Sequence, residues 1–397
     1  MSNKKILSIF IFLILLSGII FLLKKVNYID YEKNYFYLDT MINVKLKSNK
    51  SSKDIKEIFD EIDYLYNTYN TLADRYNSYD NVINVYYINE ILKDNEEIEL
   101  DSKLATLINE GIKYYELTSG YINIASGNLI SVWKDYINKG EGVPTNEELN
   151  VNTNISDIKL VDNTLTKTNN VKLDLGSYTK GYVTELVGNY LESLGIKNYI
   201  IDAGGNIKTG TPYKKDNYLV GVVNPENTKD IFIKLNINNK SVVTSGDYQR
   251  YYEYNGVRYN HIINPYTKYP ANNFRSVTVI CNDSFKADVY STYLFLLDLE
   301  QGLDIVNKTP DIDAIWYIDS ENIVKSDGFN YWKYKLHSNK YKKVYWKSTK
   351  VYWKVLKVQK NSCFLLKNMI LLLSNPLYIY IYDCFKNKGV WISWQRI

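Results

Sequence analysis

Histidine is almost missing from this chain: His261 and His337 are the only two in 397 residues, beside three cysteines. Cys281, Cys363 and Cys384 form no CxxC pair and no metal-ligand spacing. That argues against a zinc site of the usual His/Cys kind and leaves oxygen-ligated hard cations as the metals this sequence suits. Proline (7) and glycine (19) are also sparse, and 45% of residues are apolar. Most of the chain therefore reads as globular, with length enough for one large domain or two ordinary ones. Acidic residues are scarce toward the C-terminal end. Residues 340–397 hold a dozen Lys/Arg against a single acid, Asp383, so the body before them is mildly acidic although the net charge is +4. Bulk charge gives no support for a nucleic-acid partner. The abundance of tyrosine (39) follows that of Ile, Asn and Lys, an AT-rich coding bias, and carries little functional weight.

One long apolar run stands near the start. In MSNKKILSIFIFLILLSGIIFLLKK, residues 6–23 lie between lysine pairs, with only Ser8, Ser17 and Gly18 breaking the apolar character. That length spans a bilayer and exceeds a signal-peptide core, and neither an A-x-A site nor a lipid-attachment cysteine follows. Residues 1–30 therefore read as an uncleaved N-terminal transmembrane helix. The expected location is the cell membrane, with the body on the extracytoplasmic side, although lysines on both flanks leave orientation nearly unspecified. Residues 340–397 form an atypical basic and apolar extension with VYWK at 344–347 and 351–354. Its apolar stretch 364–385 reads equally as a second membrane segment, an interfacial helix or an ill-folded tail.

Between these ends, residues 31–339 mix strands and helices. YFYLDTMINVKL (35–46) reads as a strand. Ile55, Ile58, Phe59, Ile62, Leu65 and Tyr66 then make a helical stripe with Ser51 or Ser52 as cap. Further helices are expected over 103–118, 180–194 and 287–306, and strands near 198–210, 218–223, 231–237, 241–244, 257–263 and 275–281, with a last strand pair ending near Lys335. The class is α+β.

Four segments carry candidate chemistry. LDLGSYTKGY (173–182) puts Lys180 at a helix start, a phosphate cradle or a solvated lysine. AGGNIKTG (203–210) allows close backbone approach to a ligand or simply a tight turn. In FKADVYSTYLF (285–295), Asp288 and Thr292 share a helix face, fit for Mg²⁺ or for an ordinary helix-start acid. In TSGDYQRYYEYNGVRYNHIINP (244–265), His261 sits on a strand before an Asn264-Pro265 turn, catalytic or merely a packed histidine.

Taken in order, DTM (39–41), GYINIASGNLISVWKD (120–135), LDLGSYTKGY, IIDAGGNIKTG, TSGDY…HIINPYTKYP and ADVYST resemble the ApbE family of FAD:protein FMN transferases across roughly residues 35–335. The resemblance implies an α+β fold of mixed sheets and packed helices related to the T-fold. It implies an enzyme that takes FAD as substrate with Mg²⁺ and moves FMN to a threonine or serine hydroxyl of an acceptor flavoprotein subunit, releasing AMP. By the same resemblance, Met41, Tyr76, Ile122, Asn123, Ile124, Asp174, Lys180 and Ile263 fall on flavin contacts. Ser177 (through its carbonyl), Asp288 and Thr292 fall on metal ligands, and His261 on the proton acceptor. The chain departs from the family pattern at Asn123 and Asn264, where aspartates are usual, and at Lys268, where glycine is usual. Those departures put in doubt any charge-dependent role at these positions. They keep open a non-catalytic FAD binder, while an FAD pyrophosphatase would use the same residues with water as acceptor.

Overall fold

The computed structural model describes residues 27–213 and 217–331, then only strand stretches at 334–336, 344–345, 378–382 and 391–395. Residues 6–23 lie outside the described residues, as does most of 340–397. Among the described residues no helix is long and apolar enough to cross a membrane.

The chain opens with hairpin β1 (Ile29–Tyr37) and β2 (Thr40–Ser48), then α1 (Ser52–Ala73), a π-helical turn (Tyr87–Ile91), β3 (Glu97–Glu99), α2 (Ser102–Leu117) and α3 (Gly127–Lys139). There follow β4 (Ile158–Val161), β5 (Thr164–Lys167), α4 (Thr179–Ser193), β6 (Tyr199–Ala203), β7 (Asn206–Thr209), β8 (Tyr218–Asn224), β9 (Asn227–Ile237) and β10 (Ser241–Gly246). The last part holds β11 (Tyr251–Tyr254), β12 (Val257–Asn260), β13 (Ser276–Cys281), α5 (Ser284–Leu296), α6 (Leu299–Lys308), β14 (Ile312–Tyr317), β15 (Ile323–Lys325), β16 (Tyr334–Leu336) and β17 (Val344–Tyr345).

Nine strands form the main sheet in the order β1-β2-β6-β7-β10-β13-β14-β15-β17, antiparallel throughout except the last pair. One face packs against the helices around Ile62, Val183, Val243, Val279 and Leu294. The other face lies under the small sheet β16-β9-β8 through Val242, Ile280, Ile315, Phe232 and Leu235. Neighbours such as Val242 and Val243 thus enter opposite cores. Strand β13, SVTVIC, is buried at every position because both faces of the sheet are covered there.

The sequence reading holds for α1, capped by Ser51 and Asp54 in a capping box, and for α4, ended by Gly195 at φ +76°. It needs correcting elsewhere. Residues 35–46 form two strands, because Leu38 (φ 52°) and Asp39 (φ 57°) make a two-residue left-handed turn without the glycine that usually signals one. Residues 287–306 form two helices, because Asp298 ends the first register and caps α6 through Gln301 N–H. Strand β12 stops at Asn260, so His261 follows it instead of lying on it. Helix α3 was not read at all.

Candidate active site

The site grows from the crossing of α4 and α5, both on the helical face of the sheet. Gly181 is the third residue of α4, so its N–H has no partner within the helix. It donates to Asp288 Oδ2, at 2.8 Å, and the intrahelical ladder starts with Tyr182 N–H to the Tyr178 carbonyl. The bond ties α5 to the start of α4, and the Ser177 carbonyl, which precedes the helix, lies outside its hydrogen-bond ladder. Glycine is needed for it: a Cβ on Gly181 would meet Asp288 Cβ at 2.4 Å and the Ser284 carbonyl oxygen at 2.6 Å.

Asp288 is only 4% exposed. Burial pushes its carboxyl up from the usual range, opposed by the charge of Lys180, the Gly181 N–H and the Asn206 amide. Asn206 is held by Ser284 Oγ, which donates to its Oδ1 at 2.7 Å, and its buried Nδ2 has no partner of ordinary hydrogen-bond geometry. One turn beyond Asp288, Thr292 Oγ1 lies 3.2 Å from Ser245 Oγ on β10. No cluster of three or more His, Cys, Asp or Glu side chains fit for a metal exists among the described residues. A buried carboxylate, a hydroxyl and a carbonyl just ahead of a helix would make an all-oxygen donor set. That chemistry fits Mg²⁺ and not zinc.

His261 approaches from the other side. Its backbone N–H extends the β11–β12 ladder by donating to the Arg250 carbonyl (3.1 Å), and its ring Nδ1 lies 3.3 Å from the same oxygen. A carbonyl only accepts, so Nδ1 carries the proton and Nε2 keeps its lone pair. Burial, the Arg250 guanidinium and Lys180 together lower the imidazole to about 4. The charge of Lys180 acts on both His261 and Asp288.

The expected flavin contacts fall into two groups. Met41, 58% exposed, lies two residues beyond Asp39, which pairs with Arg250 at 3.6 Å; Tyr76, 46% exposed, has Lys134 Nζ 3.1 Å from its ring centroid. The charges of Arg75, Asp174, Asp39 and Arg250 all act on Tyr76, so Arg250 connects this group to His261. The second group faces inward. Ile122 and Ile124 bury their side chains in the main core, which leaves only backbone for a ligand. Ile263 packs beside Leu129 and Trp133 and bridges to Pro270. Asp174 is bound by Arg75 (2.7 Å), and Arg75 also donates to the Gly127 carbonyl and Ser131 Oγ, so Asp174 braces the loop before α4. The sequence reading missed Arg75, Lys134, Arg250 and Ser245. Arg250, Ser245 and Lys134 lie inside blocks it had quoted, whereas the role of Arg75 rests on a partner 99 residues away.

Sequence and structure comparisons agree. The ApbE family's sequence signature matches residues 38–316. The chain belongs to the ApbE family. It is 33% identical over 212 residues to the FAD:protein FMN transferase of Klebsiella pneumoniae, covering 51% of this chain and 65% of that protein. It is 31% identical over 224 residues to that of Vibrio cholerae, covering 53% and 66%. The aligned part thus spans just under two thirds of these relatives. Among solved structures, the ApbE protein of Thermotoga maritima superposes with a TM-score of 0.68 at 28% identity, over 77% of this chain and 99% of that one. The flavin transferase ApbE of Vibrio cholerae gives 0.64 at 25% identity, over 80% and 99%. The α+β ApbE fold is thereby shown.

The departures from the ApbE pattern have local explanations. Asn123 accepts from the Ala125 N–H and donates to the Thr153 carbonyl, both at 2.9 Å; an aspartate could not make the second bond. Asn264 Oδ1 accepts from the N–H groups of Tyr266 and Thr267 and so shapes the Asn-Pro turn without a charge. Lys268 has φ +63°, the conformation that favours the family's glycine, and its Nζ donates to the Leu149 carbonyl at 3.0 Å. Lys268→Gly relieves the backbone while losing one hydrogen bond. Its unfolding free energy should stay within about 1 kcal/mol of the parent's, and Lys268→Ala should be the less stable of the two. Thermal melts of the three proteins check the order.

Proposed function

We propose that this chain is an FAD:protein FMN transferase. The observation that carries this reading is the Gly181 N–H to Asp288 bond, which sets a buried carboxylate at the start of α4 next to Lys180 in a chain of the ApbE family. A cation at a helix start, flanked by a neutral base and a buried carboxylate, suits an anionic diphosphate under attack. The acceptor's threonine or serine hydroxyl attacks the FMN phosphorus of FAD, the new O–P bond forms, and the P–O bond to AMP breaks. His261 Nε2 takes the hydroxyl proton, and Nδ1–H stays on the Arg250 carbonyl. Lys180 and the positive end of α4 hold the phosphate oxygens, so positioning and charge neutralisation supply most of the rate. Mg²⁺, when bound, would be held by Asp288, Thr292 and the Ser177 carbonyl and would neutralise diphosphate charge. The apolar run at residues 6–23 supports an N-terminal membrane anchor, with the catalytic body outside the cytoplasm.

Incubating the purified chain with FAD, Mg²⁺ and a threonine-bearing acceptor should release AMP and add one FMN mass to the acceptor. EDTA should stop both, and Mg²⁺ should restore them. Absence of AMP overturns the reading; AMP with free FMN and an unmodified acceptor makes the protein a pyrophosphatase.

The low proton affinity of His261 fixes the sign of the pH dependence. Protonation removes the base, so kcat/KM should fall only as the pH drops toward about 4. The bound diphosphate's negative charge favours imidazolium, so the acid limb of kcat should lie at higher pH than that of kcat/KM. A kcat/KM limb at the ordinary histidine value would contradict the partly buried, cation-flanked environment.

A further inference from the structure

Ser245 and Ser291 take part in none of the steps above, yet they link the Thr292 hydroxyl to the backbone carbonyl of Asp288. Ser291, fully buried on α5, donates its Oγ proton to the Asp288 backbone carbonyl at 2.9 Å. Ser245 Oγ on β10 lies 2.9 Å from Ser291 Oγ and 3.2 Å from Thr292 Oγ1. Each hydroxyl has one proton and two lone pairs. The chain ends on a carbonyl, which can only accept, so its direction is fixed. Ser291 gives its proton to Asp288 O; Ser245 gives its own to Ser291; Thr292 must then give its proton to Ser245. Thr292 Oγ1 is thereby left with its lone pairs turned away from its neighbours, which is the state a metal ligand requires. Were Ser245 instead to donate to Thr292, the Thr292 proton would have to point elsewhere, toward the cation.

We infer that Ser245 and Ser291 are positioning residues that orient the Thr292 hydroxyl as an acceptor toward the divalent cation. The geometry supports this because α5 alone cannot do it. Ser291 precedes Thr292 by one residue and points about 100° away around the helix, so a group from outside the helix must join them. Strand β10 supplies that group one residue before Gly246, where the strand ends. Hydrogen-bond partners behind metal ligands change metal affinity by about 10–100-fold when removed.

The inference rests on the Mg²⁺ reading above, and the test separates the two. Mn²⁺ is titrated by electron paramagnetic resonance into the full-length protein with FAD present and acceptor omitted, and transfer is measured separately against Mg²⁺ concentration. Ser245→Ala removes a single oxygen and should fold. Its Mn²⁺ dissociation constant should rise by about 10–100-fold, with kcat near the parent's at saturating Mg²⁺. Ser291→Ala should weaken Mn²⁺ in the same sense, and Ser245→Thr should restore it. Unchanged Mn²⁺ affinity in Ser245→Ala, or a weakening that Ser245→Thr fails to rescue, overturns the positioning role while leaving the metal site standing. Failure of the parent protein to bind Mn²⁺ overturns both.

Discussion

His261→Ala should lower FMN transfer by about 10²–10⁴-fold, the range expected when a positioned general base is lost. FAD affinity should hardly change. The ring removed is neutral, because its pKa is held near 4, so no charge that attracts the diphosphate disappears. Its interaction with the acceptor's proton arises only as the O–P bond forms, so the loss should fall on kcat and not on FAD binding. His261→Gln makes a sharper comparison: it keeps a polar group of similar reach but offers no base, and it should be nearly as slow as alanine. FAD binding followed by flavin fluorescence and transfer followed by acceptor mass give the two numbers separately. A variant that transfers FMN at the parent rate removes His261 from the chemistry, and one that loses FAD and rate together makes it a structural support.

How far the sequence could be read depends on how local each signal is. The helical stripes of α1 and α4 and their end signals were legible because cap, stripe and stop lie within one continuous segment. The β1–β2 turn was not, because Leu38 and Asp39 adopt positive φ without glycine and the apolar pattern runs on through them. His261, Asp288, Thr292 and Lys180 could be named from motifs, yet nothing in their spacing says that one lysine serves both of the others. That depends on the α4–α5 crossing, which joins residues 107 apart through one hydrogen bond. Arg75 was invisible for the same reason: its partner Asp174 is 99 residues away. Asn123 shows the opposite case. Read by analogy it is a lost charge; in place it is a bridge between two backbone groups, which only the amide can make.

The α4–α5 crossing yields the second large expected effect. Gly181→Ala should destabilise the fold by about 1–3 kcal/mol, as overpacking does, and slow transfer by about 10²-fold, the loss expected from an ångström of misplacement at a reacting centre. The added methyl has no soft neighbour: the carbonyl of Ser284 is backbone, and Asp288 Cβ is fixed by its own helix. The helices must part, which lengthens the Gly181 N–H to Asp288 bond and shifts the Asp288 carboxylate away from the start of α4. Both changes act on the oxygen donors at once, so the Mg²⁺ needed for half-maximal transfer should rise together with the loss of rate. Gly188→Ala, seven residues further along α4, is the control. Its new Cβ would meet Lys208 at Cε (2.2 Å), near the end of a long side chain that can bend away, although Lys208 is also held by Glu185 at 2.9 Å. That variant should lose stability without the shift in Mg²⁺ requirement, because its strain falls on the Lys208–Glu185 pair and not on Asp288. Equal metal requirements in the two variants would mean that the close crossing at Gly181 supports the fold alone and does not aim the carboxylate.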